Sequence, residues 1–184
     1  LADNWSGKLG GTASRALGAF YNDRPIEKDI VTSYQYFGEL KHIFGAHVGI
    51  FADAERVSST HSASDRGVDE FHSNSGKLGA EYITSAQDTI GVDYQYTKAD
   101  YPGVYILAGV PFVQDYNQNI SSLRVNYALG AKTQIKASLG YLERTYPQAH
   151  EHDYSGTEWR ASLQYQPTVK TQLQLTGWHE LSAY

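Results

Sequence analysis

Nine stretches of this chain alternate apolar and polar side chains at period two, the pattern of an extended strand that is wet on one face and dry on the other. In the stretch 158–165, Trp159, Ala161, Leu163 and Tyr165 alternate with Glu158, Arg160, Ser162 and Gln164. A helix period would mix these two sets on every face, so the chain is expected to be all-β. Strands are expected at 5–20, 30–40, 47–59, 71–83, 89–99, 119–129, 134–145, 154–166 and 172–182.

The connections between them are alternately short (42–45, 85–88, 130–133, 167–171) and long (21–29, 60–70, 100–118, 146–153). A sandwich has no reason to segregate loop lengths in this way, whereas an up-and-down meander in a membrane has short periplasmic turns and long outer loops. Strand would then cover about two-thirds of the chain, too much for an ordinary globular domain and normal for a barrel.

Composition agrees. Leu, Ile and Val are too sparse to fill a large core in 184 residues, while Tyr (15) and Gly (17) are abundant. Cysteine and methionine are absent, which excludes disulfides, thiolate metal sites and a cysteine nucleophile. A net charge of -5 without a basic stripe argues against nucleic acid as a partner. Mean hydropathy is -0.48, and no run reaches the ~20 apolar residues of a spanning helix, although a barrel strand needs only ~9 to 11 half-apolar residues.

The pleat assigns the faces. Tyr34, Tyr36, Leu40, Val48, Ile50, Leu78, Tyr82, Ile90, Val92, Tyr94, Leu123, Tyr127, Leu139, Tyr141, Leu173 and Leu175 share the expected lipid side. Tyrosines near strand ends suit an aromatic girdle. Glu39, Asp53, Glu55, Glu81, Asp93, Arg124, Lys136, Arg144, Arg160 and Glu180 fall on the other side and are the candidate pore lining. Among them acids precede bases, which implies either a transverse field across the lumen or local pairing between neighbouring strands. Two strands break the alternation: Arg15 shares parity with Leu9 and Leu17, and Trp178 falls on the polar side with His179 on the apolar one. A bulge in either would restore it. Nine is an odd count where single-chain bacterial barrels have even ones, so an antiparallel up-and-down transmembrane β-barrel segment, 1–184, belonging to a larger barrel is expected. Leu1 is no initiating methionine, in keeping with a mature or internal piece.

The apolar run 104–113 is unusual for a loop, and Tyr105, Leu107 and Phe112 are its candidate constriction residues; a hairpin extension is the plainer alternative. Asp100 and Asp115 flank it. His150, Glu151, His152 and Asp153 offer metal-ligand atoms without an organised third element, so no metal and no cofactor is expected. Ser182 with His179 is the nearest approach to a nucleophile and base, and their i, i+3 spacing puts them on opposite strand faces. The glycosylation pattern at Asn4 and Asn119 carries no weight, being common by chance.

The segment 119–184 carries Gly140-Tyr141-Leu142-Glu143-Arg144, then Tyr154-Ser155-Gly156-Thr157-Glu158-Trp159-Arg160, then Tyr165-Gln166-Pro167-Thr168 with Lys170-Thr171, and Trp178-His179-Glu180-Leu181-Ser182. In order and spacing this half resembles the β-barrel porins encoded with exopolysaccharide export operons, the EpsL type. Tyr154, Tyr165 and His179 stand where that pattern has Phe, Trp and Arg. The resemblance implies a bacterial outer-membrane protein, in contact with outer-membrane lipid and working with polysaccharide and other export-machinery proteins. The expected function is a non-enzymatic pore for exopolysaccharide export or diffusion of polar solutes. A plugged structural or adhesive barrel is the alternative, and an outer-membrane enzyme a third.

Overall fold

The computed structural model describes residues 4–17, 29–63, 70–107 and 110–181. Eleven strands follow one another: β1 (Trp5–Leu17), β2 (Ile30–Phe44), β3 (Val48–His61), β4 (Phe71–Ile83), β5 (Thr89–Asp100), β6 (Val104–Leu107), β7 (Val110–Val113), β8 (Tyr116–Ala128), β9 (Thr133–Thr145), β10 (Tyr154–Thr168) and β11 (Thr171–His179). All nine long strands enter one antiparallel sheet in the order β1-β2-β3-β4-β5-β8-β9-β10-β11. The meander expected from the sequence is present, and the loop lengths alternate as expected. The extra pair, β6 and β7, is a small hairpin in the long connection between β5 and β8. The sheet is open: β1 and β11 are its edges, and they do not pair with each other.

Local chemistry sets the ends. The turn after β2 and the turn after β8 each place a glycine, Gly45 and Gly130, at positive φ (60° and 71°), where a side chain would be strained. The turn after β4 is tied by Thr84, whose carbonyl accepts from Gln87 N–H and whose Oγ1 accepts from Asp88 N–H at 3.1 Å. Asp88 then accepts the Ala128 N–H at 2.7 Å and anchors that turn to β8.

Register carries each face unbroken across the sheet, since directly opposed residues share a side. One row runs Ile50, Ala80, Val92, Leu123, Leu139, Trp159. The next, towards the long loops, runs Leu40, Ala52, Leu78, Tyr94. Among the described residues these side chains meet no second layer. Leu78 is 66% exposed, Val92 58% and Leu175 71%, and no large side chain is fully buried among the described residues. Aliphatic rows closing on one another in a dry interior, as in a sandwich, are therefore not found among the described residues.

The two irregular strands stay irregular. β1 pairs with β2 over thirteen continuous positions, so no bulge moves Arg15 off the apolar face. The register shift between β10 and β11 lies between Tyr165 and Thr168, beside the turn, and leaves Trp178 opposite Arg160 on the polar face. A mid-strand bulge is thus the one local device expected from sequence that the fold does not use. Residues 18–28 and 182–184, which include the ends of the first and last expected strands and Ser182, lie outside the described residues.

Glycines on the polar face make room for rings and long side chains. A Cβ on Gly79 would stand 2.2 Å from the Phe51 ring and 2.8 Å from the Val92 carbonyl oxygen, whereas one on Gly76, on the apolar face, meets nothing within 4 Å. Gly79→Val is expected to lower stability by about 1–3 kcal/mol through overpacking, and Gly76→Val to change it by less than about 0.5 kcal/mol. Urea unfolding of the two variants measures the contrast.

Candidate functional site

The polar face is where the sequence placed its candidate residues, and all ten lie on it: Glu39, Asp53 and Glu55 on β2 and β3, Glu81 and Asp93 on β4 and β5, Arg124, Lys136, Arg144 and Arg160 on β8 to β10, and Glu180 just beyond β11. They are not separated into an acidic and a basic half. Lys8, Lys41 and Lys77 stand among the early acids. Lys8 Nζ is 3.0 Å from Glu39, Lys77 Nζ is 3.9 Å from Asp53, and Lys41 pairs with Glu81. On the later strands Arg124 Nε lies 2.6 Å from Asp93 and Arg160 Nη2 lies 2.6 Å from Glu180. Local pairing, the second of the two readings, describes this face, and the transverse field is withdrawn because Lys8, Lys77 and Lys41 pair with Glu39, Asp53 and Glu81.

The pairs rest on the sheet's spacing. Gly49 leaves the gap across which Lys41 on β2 reaches Glu81 on β4, and its own Cβ would be 3.1 Å from Glu81 Cγ. Phe51 lies beneath the Arg124 guanidinium, 4.6 Å from ring centroid to Cζ, which holds that cation flat over the sheet. Lys136 shares an open groove of about 430 Å³ with Glu81, Arg124 and Arg160, and a second groove of about 330 Å³ lies over Lys8, Glu39, Lys41 and Asp53. Lys8, Lys41, Lys77 and Glu158 obey the same alternation as the ten residues, so the signal that would have found them was present.

A second feature, at the loop end of the same face, escaped the sequence reading. Phe71, Tyr101, Tyr116 and Tyr146 form a row across β4, β5, β8 and β9, with successive ring centroids 5.9, 6.4 and 6.1 Å apart. Arg144 lies over Tyr116 at 4.1 Å and over Tyr154 at 5.3 Å. Burial pushes the Tyr101 phenol above its ordinary range, helped by Tyr116, with Arg144 opposing. The row joins residues 75 positions apart from Phe71 to Tyr146, so only cross-strand register reveals it.

Other candidates separate. Tyr105, Leu107 and Phe112 belong to the β6 and β7 hairpin by backbone, and their side chains lie outside the description. Asp100 engages Lys98 at 3.0 Å and Asp115 accepts the Tyr101 N–H at 2.6 Å, so the two carboxylates serve different partners. In the loop after β9, Asp153 accepts from Tyr146 N–H at 2.6 Å and meets His150 Nδ1 at 3.1 Å; the Tyr146 bond chiefly holds its carboxyl below the ordinary range. No group of three metal-ligating side chains forms among the described residues. His179 opposes Trp159 on the apolar face.

Comparison of the sequence with models of known protein families gives no match, and neither does comparison with characterised proteins.

At the rim, the buried Asp29 carboxylate accepts from Ser62 N–H (3.1 Å) and Ala63 N–H (3.3 Å) and pairs with His61 Nδ1 (2.8 Å). Burial alone would raise its pKa, but the His61 hydrogen bond, the two amides and the nearby imidazole together outweigh burial and lower it. A depressed carboxyl stabilises the fold above its unfolded pKa, about 3.9, and loses that contribution as pH falls through the lower folded value. Protection of the Ser62 and Ala63 amides in hydrogen exchange, corrected for intrinsic rates, is therefore expected to fall below about pH 4 and to lose this pH dependence in Asp29→Asn.

Proposed function

We propose that this sheet is an arc of the wall of a bacterial outer-membrane pore, with the apolar face against lipid and the charged face lining a wet lumen through which polysaccharide or other polar solutes pass. The single observation that carries the reading is the zoning of the apolar face. Its middle row is aliphatic or small from Ile50 to Leu139, with His42, Trp159 and His179 where it reaches the outer strands. Towards the long loops it gives way to Tyr94, Tyr141 and Tyr96, then to a polar row of Arg56, Asn74, Lys98, Asn117 and Thr145 that Tyr36 completes on β2, with Tyr34 one row further out. Tyrosine hydroxyls bridge the two zones: Tyr94 donates to Asn119 at 2.6 Å, Tyr96 to Asn117 at 2.9 Å and Tyr141 to Ser155 at 3.0 Å. At the other end Trp5, Phe44, Tyr82, Tyr127 and Tyr165 border the short turns. Two aromatic borders around an aliphatic belt suit the two headgroup layers of a bilayer.

The dimensions suit it as well. Tyr34 to Phe44 on β2 spans ten steps, about 33 Å along a strand at ~3.3 Å per residue, which at a tilt of about 40° is close to the ~25 Å apolar belt of outer-membrane barrels. Open edges on β1 and β11 leave backbone donors and acceptors that hydrocarbon does not tolerate, so in this reading further strands complete the ring. Barrels of about 8 strands are filled by side chains and those of about 16 hold an aqueous channel, so a ring that extends well beyond these nine strands has room for a water-filled lumen. The likeness of 119–184 to the exopolysaccharide-export porins supports a saccharide as the solute.

The test is reconstitution of the protein, expressed from its full reading frame, into planar bilayers and liposomes. Stepwise ion conductance is expected; well-inserted protein without current would reject the pore and leave a plugged structural barrel. Val92→Arg, at the middle of the belt, is expected to cost about 2–4 kcal/mol of insertion free energy, read as folded yield in liposomes across a urea series. Equal yields for Val92→Arg and the parent would reject the lipid-facing assignment.

A further inference from the structure

The aromatic row has no role in the membrane-facing reading, because it lies on the wrong face. Girdle rings must face headgroups, yet Phe71, Tyr101, Tyr116, Tyr146 and Tyr154 sit on the charged side, at the strand ends that carry the long loops. Tyr146 is buried and holds the row together, while Phe71, Tyr101, Tyr116 and Tyr154 keep part of their surface open. In the middle stands Arg144. Its Nε donates to Gln118 Oε1 at 2.8 Å, its Nη2 donates to the same oxygen, and its guanidinium is flanked by the Tyr116 and Tyr154 rings. Five paired cations have a carboxylate on this face, but among the described residues Arg144 meets none. Of its five N–H donors two are directed at Gln118, which leaves a planar cation, pre-oriented by stacking, able to take an oxyanion.

We propose that this inner rim binds acidic saccharides, with sugar rings lying on the exposed aromatic surfaces of Tyr101, Tyr116 and Tyr154 and a sugar carboxylate held by Arg144. The C–H face of a pyranose is weakly positive and matches the negative π face of an aromatic ring. Neutral stacking tolerates many sugars, and the lone guanidinium then selects charged ones. A row of rings one strand apart offers successive sugars successive platforms, which suits a chain moving past the mouth rather than a single trapped molecule. The inference deepens the pore reading by naming its substrate class, and rests on that reading only for the direction in which the sugar travels.

The experiment is calorimetric titration of the detergent-folded full-length protein with a galacturonate hexamer and with uncharged maltohexaose. The acidic oligomer is expected to bind at least tenfold more tightly. Arg144→Gln is expected to remove that preference, Tyr116→Ala to weaken both ligands at least fivefold, and Lys132→Gln, in the short turn between β8 and β9, to leave both unchanged. Arg144→Lys keeps the charge without the planar stack and is expected to retain part of the preference, so it substitutes if Arg144→Gln loses strand content by circular dichroism. Equal affinity for the two oligomers, no binding of either, or equal losses in Arg144→Gln and Lys132→Gln would overturn the proposal. Binding without conductance would remove the pore and keep the site; conductance without binding would remove the site and keep the pore.

Discussion

Among the described residues the sheet is one layer thick with nothing behind it, and the continuous register of nine strands is the constraint from which everything else in this molecule follows. Because each strand is hydrogen-bonded to the next in continuous register, apart from the shift beside the β10–β11 turn, the period-two pattern of one strand becomes the period-two pattern of the whole surface. A slip of one residue anywhere would carry Leu78 or Val92 to the charged face and Asp93 to the apolar one. Burying a Val or Leu side chain contributes about 1.5–3 kcal/mol, and in this sheet that contribution is withheld until something apolar covers the exposed rows. The sheet is thus hydrogen-bonded between its edge strands, but left incomplete at those two edges and in its burial.

The charged face solves a different problem with the same geometry. Its cations and anions stand one or two strands apart, so ion pairs form sideways across the sheet and leave little net field. Glycines at 49 and 79 are the spaces into which a long side chain or a phenyl ring folds down, which keeps the surface low and open. The exposed pairs, Lys8 with Glu39 and Arg160 with Glu180, stabilise by only a few tenths to about 1 kcal/mol each. Their structural effect is to hold long side chains flat, and Arg144 is held flat by rings instead of by an acid.

What the sequence revealed, it revealed through locality. Alternation within a strand is visible without knowing the neighbours, so the strand bounds of β4 and the face of Arg124 or Glu81 could be read directly. The same alternation contains Lys8, Lys41 and Lys77, and leaving them out produced the false separation of acids from bases. Arg15 on the apolar side and Trp178 on the polar side suggested bulges because an isolated strand offers no other remedy, yet the pairing of β1 with β2 holds Arg15 in place without one. The row from Phe71 to Tyr146 could not be read at all, since it exists only once four strands are set side by side. The small hairpin of β6 and β7 lies between these cases: its apolar character was plain, but four residues on either side of a turn are too few to show a period.

The claim beneath this account is that hydrocarbon covers the aliphatic rows while water covers their alternates. Spin labels placed singly at successive positions 77 to 80 and 91 to 94 of the protein in lipid vesicles, with relaxation by oxygen and by a water-soluble nickel chelate, measure this residue by residue. Labels at 78, 80, 92 and 94 are expected to relax with oxygen and not with nickel, and labels at 77, 79, 91 and 93 the reverse. Nickel access at 78 and 92 equal to that at 77 and 93, or exclusion of both reagents from all eight positions, would mean that the sheet has water or protein on both sides and no bilayer.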